Sequence, residues 1–508
     1  MQKRIFSIVF ILFLTVTILP FLNGNASAQQ KKKYGGNFIL VDPRGPNRTL
    51  GWFAKPGFYT GAYGQPMFDT LLDCDIKGNL SPKLATEWKL SDDLKSLTLK
   101  IRKGVKFHDG SMLTGEVVKW NFDIMLEAGM GSYEQWDSVD LIDDYTIRIN
   151  FKTYENTVLN VLASAFMVSK AAFDKKGAEW LQWNPVGTGP FKFVSYERDV
   201  GLKYVKFNDY WQKGKPYVDS MEFHSIQDPM TRSAAFQAGD MDADSCDFTK
   251  VEYDLVQMGN KYESCISGAV CMVPDSKNPD SPFYKLKVRE AIDYAVNDEA
   301  IVKARGFGWY TALDQYCPHG HSAYADDIPG RKYDPEKAKQ LLTEAGYPNG
   351  FKTKIIVDSA STDKEAVTAI QGYFHKVGIE ADLDYVDIRT YLSFRLGGWN
   401  NGVLTGAYGF DANLNMSFAR YFARSAPNCP SMLKTDELEK LFHDSLHSAS
   451  FEPELAKKMV RYLYENALVI PVYEITRGAV LKDYVHDGGF YSKQAWPGWE
   501  PANLWLDK

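Results

Sequence analysis

Apolar and polar residues alternate with a period of two along several stretches in the first half of the chain. This is the pattern of β-strands that bury one face. The clearest stretch runs from Thr86 to Arg102 and has a polar turn, Ser-Asp-Asp, at 91–93. Similar pairs of alternating segments span 141–151 and 191–207. Each of the three stretches therefore predicts a β-hairpin.

In the second half of the chain, apolar residues recur at helical spacing. Asp334 precedes Pro335, which is the order of an N-cap and a first helical residue. A predicted strand at 354–357, a helix at 363–376 and a strand at 379–386 follow. Strand, helix and strand in this order predict a parallel βαβ unit, and hence an α/β lobe.

Length and composition change this picture only moderately. A chain of 508 residues is expected to form about two to four domains. The aromatic content of 14% suits a large core or an aromatic-lined cleft. The net charge of −6 gives no indication of nucleic-acid binding.

The N-terminus has the features of an export signal. Lys3 and Arg4 precede an apolar run at 5–22, and the small residues Ala26 and Ala28 form a cleavage site. We therefore expect removal of residues 1–28 and a soluble periplasmic protein. An uncleaved membrane anchor is the alternative reading of the same run. With no cysteine at the end of the run, a lipid-anchored form is not expected.

Two further features have a simple structural interpretation. His108-Asp109-Gly110 is predicted to be a turn that leads into a helix capped by Thr114, rather than a catalytic site. Export would permit disulfides, and Cys265 with Cys271 would close the shortest loop among the six cysteines.

Several ordered segments resemble one known family. They are SPKLATEW at 81–88, LKIRKGVKFHDG at 99–110, PVGTGPF at 185–191, NDYW at 208–211, AFQAGDMD at 235–242, VREAIDYA at 288–295 and YDPEKA at 333–338. Together they resemble the extracellular solute-binding proteins of family 5, which are the dipeptide- and oligopeptide-binding proteins of bacterial ABC importers.

The resemblance implies an α/β fold with the bilobed architecture of periplasmic binding proteins, type II and cluster C-like, plus an accessory domain. Lobe I would be discontinuous and comprise 29–65, 185–273 and 475–508. The accessory domain would span 66–184, and lobe II would span 274–474. Such a protein captures its ligand by closing the lobes. It delivers the ligand to a membrane permease and its ATPase. We expect a monomer without a cofactor.

The resemblance also suggests a ligand site. The segment YGFDANLN at 408–415 is similar to a family segment, Trp-Gly-x-Asp-x-x-Asp-Pro, whose first aspartate binds a peptide's ammonium group. Asp411 occupies that position, whereas Tyr408 replaces the tryptophan. We therefore expect an amine-bearing ligand, although Asp411 is equally compatible with a turn or cap residue. The predicted ligand contacts are Asp411, Tyr408, Phe410, Asn413, Trp399 and Tyr59.

The arginine with which dipeptide binders hold the ligand's carboxylate has no match at 359–370. An oligosaccharide, stacked on aromatic rings, is therefore the closest alternative ligand.

Short motifs in the chain are compatible with two other classes of site. Ser431 and Lys434 fit the S-x-x-K motif of an acyl-transfer enzyme, but its partner motifs are missing, so we predict no catalytic residues. Metal capture would use the Cys317, His319 and His321 loop, or the pair His443 and His447 at 443–447. We predict no metal site, because exposed histidines usually lie on a solvated helix face.

Overall fold

A computed structural model describes residues 31–43, 45, 49–54, 63–247, 249–359, 363–493 and 498–508. The predicted signal peptide and Tyr59 lie outside these residues. None of the helices in the described part of the chain has the length and apolar character needed to span a bilayer.

The strands are β1 (Asn37–Val41), β2 (Leu72–Cys74), β3 (Leu80–Pro82), β4 (Ala85–Leu90), β5 (Ser96–Ile101), β6 (Trp136–Asp143), β7 (Thr146–Phe151), β8 (Phe191–Glu197), β9 (Gly201–Lys206), β10 (Ser220–His224), β11 (Ala243–Asp247), β12 (Lys261–Pro274), β13 (Phe351–Asp358), β14 (Ile379–Val386), β15 (Gly402–Gly409), β16 (Ile470–Leu481), β17 (Val485–His486) and β18 (Trp505–Leu506).

The helices are α1 (Gly115–Glu127), α2 (Val158–Leu162), α3 (Lys170–Leu181), α4 (Pro229–Ala238), α5 (Lys250–Gln257), α6 (Leu286–Ala295), α7 (Asp298–Arg305), α8 (Pro335–Glu344), α9 (Lys364–Lys376), α10 (Ile388–Gly397), α11 (Leu414–Tyr421), α12 (Asp436–Leu446) and α13 (Pro453–Glu465).

The local predictions agree well with these elements. The three hairpins are confirmed as β4–β5, β6–β7 and β8–β9, all antiparallel pairs. The βαβ unit is confirmed as well, because β13 and β14 are parallel neighbours joined by α9. Asp334 caps α8 by accepting a hydrogen bond from the Lys337 amide, and Pro335 is its first residue. The predicted α/β class is therefore correct.

The largest sheet has ten strands in the order β14-β13-β15-β12-β16-β11-β1-β10-β9-β8. Its two longest strands, β12 and β16, are antiparallel neighbours at its centre. β16 pairs with β11 over 477–481, whereas β12 pairs with β15 over 268–274. The β12–β16 pair therefore runs from one half of the sheet into the other, and its register shifts between Ile266 and Gly268.

The hydrophobic cores show which parts of the chain belong together. Phe38 and Phe223 of lobe I lie in the same buried cluster as Leu97, Phe107 and Phe122 of the accessory domain. A continuous core resists shear, because its packed side chains would have to separate. We therefore expect the segments predicted as lobe I and the accessory domain to move as one body.

Lobe II has two separate cores, one on each face of its part of the sheet. Successive residues of β15 alternate between them: Leu404 lies in one core and Val403 in the other. This is the period-two geometry of a strand that is covered on both faces. The segment predicted as lobe II therefore has a three-layer α/β arrangement with two cores.

The suggested pairing of Cys265 with Cys271 is wrong. Both residues lie on the single extended strand β12, and both are free thiols. Six residues along a strand span roughly 20 Å, far beyond the reach of a disulfide. The short loop that was expected between them does not exist.

The His108 segment is a turn, as expected. The His108 Nε2 atom lies 2.9 Å from the Gly189 carbonyl oxygen and donates to it, which ties the accessory domain to lobe I. The Asp109 carboxylate accepts hydrogen bonds from the hydroxyls of Ser111 and Ser169. The Asp109 carboxylate and the His108 Nε2–H group are therefore held within the scaffold, whereas His108 Nδ1 is buried without a hydrogen-bond partner among the described residues.

Candidate ligand-binding site

A short loop, residues 410–413, joins β15 to α11 and carries the predicted ligand contact Asp411. Its backbone is held from two sides. The Tyr316 hydroxyl donates to the Gly409 carbonyl at 2.8 Å, and the Phe410 amide donates to the Ser267 carbonyl at 3.3 Å. Ser267 lies at the register shift of β12. The loop therefore begins where the central strands pass between the two halves of the sheet.

The Asp411 carboxylate is oriented by two residues of α11. The Ser417 hydroxyl donates to its Oδ2 atom at 2.8 Å, and the Arg420 guanidinium forms an ion pair with the same oxygen at 3.2 Å. The Asp411 side chain is 13% exposed and that of Arg420 is 43% exposed. Both charged groups therefore remain accessible from solvent while they contact each other.

His321 holds the same loop through its backbone. The Nδ1 atom of His321 accepts a hydrogen bond from the Ala323 amide, so the ring proton must reside on Nε2. That Nε2–H group donates to the Asp411 carbonyl at 3.2 Å. Burial lowers the pKa of His321 below its ordinary value, which keeps the ring neutral. Its role here is to position the loop.

The predicted aromatic contacts lie in different environments. Phe410 is partly buried, and its ring centroid lies 5.0 Å from that of Tyr316. Tyr408 is fully buried, and its hydroxyl contacts the Cys429 sulfur at 3.5 Å. Trp399 is also buried and donates its indole N–H to the Gly402 carbonyl. Of the three rings, only that of Phe410 lies beside Asp411 with part of its surface exposed.

Asn413 faces the other body of the protein. Its amide donates to the Asn156 backbone carbonyl and side-chain oxygen at 3.3 and 3.2 Å, and to the Asn160 side chain at 3.3 Å. Both partners belong to the accessory domain. The adjacent Ala412 lies 3.2 Å from the position that a Cβ atom on Gly78 would occupy. The loop with Asp411 therefore packs against residues of the predicted accessory domain.

Two arginines near the loop were not anticipated from the sequence. Arg420 follows Asp411 by nine positions and lies in the last turn of α11. The position of this helix brings the Arg420 guanidinium to the Asp411 carboxylate. The Arg395 guanidinium lies over the rings of Tyr408 and Tyr421, at 4.9 and 5.1 Å. Within the described residues, its Nε atom is buried without a hydrogen-bond partner and no carboxylate forms an ion pair with it. The site thus combines one carboxylate with two guanidinium groups.

The residues suggested for metal capture make other contacts in the structure. The described residues contain no group of three or more His, Cys, Asp or Glu side chains arranged to hold a metal ion. His319 lies 2.9 Å from the Glu474 carboxylate, and Cys317 is fully buried. The rings of His443 and His447 stack on each other at 4.1 Å.

The S-x-x-K residues are engaged in structural contacts. The Ser431 hydroxyl donates to the Trp399 carbonyl and accepts from the Trp399 amide, both at 2.7 Å. Lys434 donates to the carbonyls of Ala426 and Asn428. A serine nucleophile needs a base within hydrogen-bonding distance. These contacts do not supply that arrangement.

Comparison with known proteins identifies the family. The sequence model of bacterial extracellular solute-binding proteins, family 5 Middle, matches residues 79–428. The chain belongs to this family. The glutathione-binding protein GsiB of Escherichia coli K12 is 33% identical over 362 residues, which cover 70% of this chain and 68% of GsiB. GsiB of Shigella flexneri shows the same identity and coverage.

Solved structures of other binding proteins share the fold. The periplasmic binding protein DppA of Helicobacter pylori, in complex with the peptide STSA, has a TM-score of 0.78 at 22% identity and covers 94% of this chain and 99% of DppA. NikA of Brucella suis, in complex with Fe(III)-EDTA, has a TM-score of 0.79 at 21% identity and covers 91% of this chain and 98% of NikA. The bilobed family 5 architecture expected from the sequence is thereby confirmed.

Proposed function

We propose that this protein is the binding component of an ABC importer, and that it captures a peptide or another amine-bearing solute between its lobes. The observation that carries the proposal is the accessible Asp411 carboxylate at the junction of the accessory domain and lobe II. A carboxylate in such a position forms charge-assisted hydrogen bonds with an ammonium group. The curated relatives named above bind glutathione, which carries an ammonium group and supports the same ligand class.

Closure would occur about the central strands. β12 and β16 connect the two halves of the sheet, and the shift between Ile266 and Gly268 interrupts their regular ladder. Such an irregularity allows a local bend without breaking either core. We place the hinge at Ser267 and Ile475, where the Ser267 hydroxyl donates to the Ile475 carbonyl at 3.1 Å. We also propose that the protein is exported, with cleavage near Ala28. It would then deliver its ligand to a membrane permease and its ATPase.

Isothermal titration calorimetry with tri-alanine, reduced glutathione and maltotriose tests the ligand class. We expect at least one of the two amine-bearing probes to bind, and Asp411→Asn to weaken that binding about tenfold or more, because a hydrogen bond to a charged group is lost. Asp327→Asn is the matched control, because Asp327 pairs with Arg461 elsewhere on lobe II. Unchanged affinity in Asp411→Asn, or binding of maltotriose alone, would contradict the ammonium role.

A further inference from the structure

A short loop of the predicted lobe II contacts the predicted lobe I beside the proposed hinge. The Phe307 ring lies 5.5 Å from the Tyr253 ring on α5. The Trp309 ring lies edge to face with the Tyr262 ring on β12, and their centroids are 4.6 Å apart. We call residues 306–310 the aromatic strap, because both of its contacts cross from one lobe to the other.

The strap is fixed along β16. The Tyr310 ring stacks on that of Tyr473, with centroids 5.1 Å apart and an angle of 11° between the ring planes. The Thr476 hydroxyl, next to the proposed hinge, donates to the Trp309 carbonyl at 2.8 Å. Phe307 has a φ of +48°, a left-handed conformation that a side chain keeps only where its surroundings fix it. The loop is therefore held in place as it passes the hinge.

The strap and the amide contacts of Asn413 lie on opposite faces of the sheet. In lobe I, Ala479 belongs to the core that is shared with the accessory domain, whereas the next residue of β16, Val480, belongs to a small cluster with Leu255 of α5. Successive residues of a strand face opposite sides of the sheet. Tyr262 packs against the small cluster, so the strap contacts lobe I on the face away from the accessory domain.

The same separation holds in lobe II. Tyr310 packs against the core that contains Val403, whereas Leu414 lies in the core that contains Leu404. These two cores cover opposite faces of β15. The central strands β12 and β16 therefore run between the strap on one face and the amide contacts of Asn413 on the other.

Contacts on opposite sides of a hinge respond to its rotation in opposite ways. A rotation that separates Asn156 from Asn413 brings the lobes closer together on the other face, where the strap lies. The four rings of the strap contacts are only partly buried while the amide contacts are formed. Opening therefore buries more of their apolar surface, which is favourable.

We propose that the aromatic strap stabilises the open form and acts as a counterweight to the amide contacts of Asn156. This inference rests on lobe closure as part of the proposed function, and it does not depend on the identity of the ligand. A ligand that binds the closed form has an apparent affinity proportional to the closed fraction. The strap therefore lowers that affinity from a position outside the ligand site.

Replacement of Trp309 by alanine tests the proposal without a ligand. We expect Trp309→Ala to reduce the radius of gyration of the ligand-free protein in small-angle X-ray scattering. The same substitution is added to Asn156→Ala, which lacks the amide contacts and is expected to be more open. At least one of the two backgrounds should show the reduction. An unchanged or larger radius in both would overturn the proposal.

Trp309→Ala should also tighten ligand binding, although the residue lies away from Asp411. An edge-to-face ring pair corresponds to about a twofold to tenfold change in an equilibrium constant. Calorimetry with tri-alanine and reduced glutathione should show tighter binding by this factor for the probe that the native protein binds. Trp309→Phe, which keeps a ring, should stay close to the native affinity. Purely structural packing predicts the opposite sign, because its loss weakens the folded protein and its site.

Tyr373→Ala is the matched control. Tyr373 forms a similar edge-to-face pair with Tyr333, at 5.4 Å, but within lobe II. This variant should leave the radius and the affinity at native values, and thermal unfolding checks that every variant is folded. Unchanged or weaker binding in Trp309→Ala, or equal tightening in Tyr373→Ala, would refute the counterweight. If neither probe binds the native protein, the proposed ligand class fails, whereas scattering still decides the role of the strap.

Discussion

A cluster of amides between the accessory domain and lobe II should control closure. The Asn156 side chain donates to the Ser445 carbonyl at 2.7 Å and accepts from the amides of Asn413 and Asn415 at 3.2 and 3.1 Å. Its own backbone amide donates to the Leu446 carbonyl at 2.9 Å. We call Asn156, Asn413, Asn415 and Ser445 the amide latch. Because these bonds cross between the two bodies, we predict that they form only when the lobes close.

Replacement of Asn156 by alanine removes the three side-chain bonds of the latch, together with weaker contacts to the Ser448 hydroxyl and the Ser450 carbonyl at 3.1 and 3.2 Å. Each of the three bonds contributes about 1 kcal/mol net, and in the open form water satisfies the same groups. The closed form should therefore lose about 3 kcal/mol relative to the open form, which is roughly a hundredfold change in the closing equilibrium. An affinity that depends on closure falls by up to the same factor.

Two measurements check this. Small-angle X-ray scattering should show a larger radius of gyration for ligand-free Asn156→Ala than for the native protein. Calorimetry with glutathione, or with whichever amine-bearing probe binds, should show the weaker affinity. Asn121→Ala is the matched control, because the Asn121 amide donates to the carbonyls of Val117 and Val168 inside the accessory domain. The reasoning is refuted if both variants are destabilised alike while scattering and affinity in Asn156→Ala stay at native values.

Two further predictions concern stability. Burial lowers the pKa of His108 to about 4, below the ordinary value near 6.5, so the unfolded chain binds more protons between these values. The free energy of unfolding should therefore fall by at most about 3 kcal/mol as the pH falls from 6.5 to 4. In denaturant titrations, His108→Gln should lack this part of the pH dependence. Parallel pH profiles for the native protein and the variant would contradict the prediction. Gly189→Ala should lower the melting temperature strongly, because its Cβ atom would lie 2.4 Å from the Met67 carbonyl carbon. Gly372→Ala, at an open helical position, should raise the melting temperature slightly. Equal shifts of the two variants in calorimetric scans would count against this packing argument.

Much of the fold was predictable, because its elements are encoded locally. The order of Asp334 and Pro335 specifies a helix start without reference to distant residues. The hairpin that begins at Thr86 is likewise determined by alternation over a few positions. Family segments such as 185–191 have a physical explanation as well: Gly187 and Gly189 pack against the Met67 backbone so closely that no side chain fits.

The candidate site was less predictable, because its contacts are not local. Tyr408 and Trp399, which are predicted ligand contacts, are both buried, and sequence alone does not reveal which face of β15 or which end of α10 is covered. Asn413 stays a predicted ligand contact, and its amide donates to Asn156, about 250 residues away in sequence, a contact that no local pattern reveals. The neighbours of Asp411 were missed for the same reason, because Arg420 reaches it only through the geometry of α11.

Two regions lie between the bodies on the side of the accessory domain, the amide latch and the loop at Asp411. Their chemistry suits a protein that must release its ligand. Within each body the packing is hydrophobic, as in the buried cluster that contains Phe38 and Leu97, and such a core does not open and close reversibly at low cost. Between the bodies, the amide latch uses neutral groups that water can satisfy equally well in the open form. A latch built from buried ion pairs would have to dehydrate charges at every closure. Neutral amides instead leave the closing equilibrium within a few kcal/mol of balance, so that the differential affinity of a bound ligand can decide it. The Asp411 carboxylate, by contrast, lies in the loop where we propose that the ammonium group of the ligand binds.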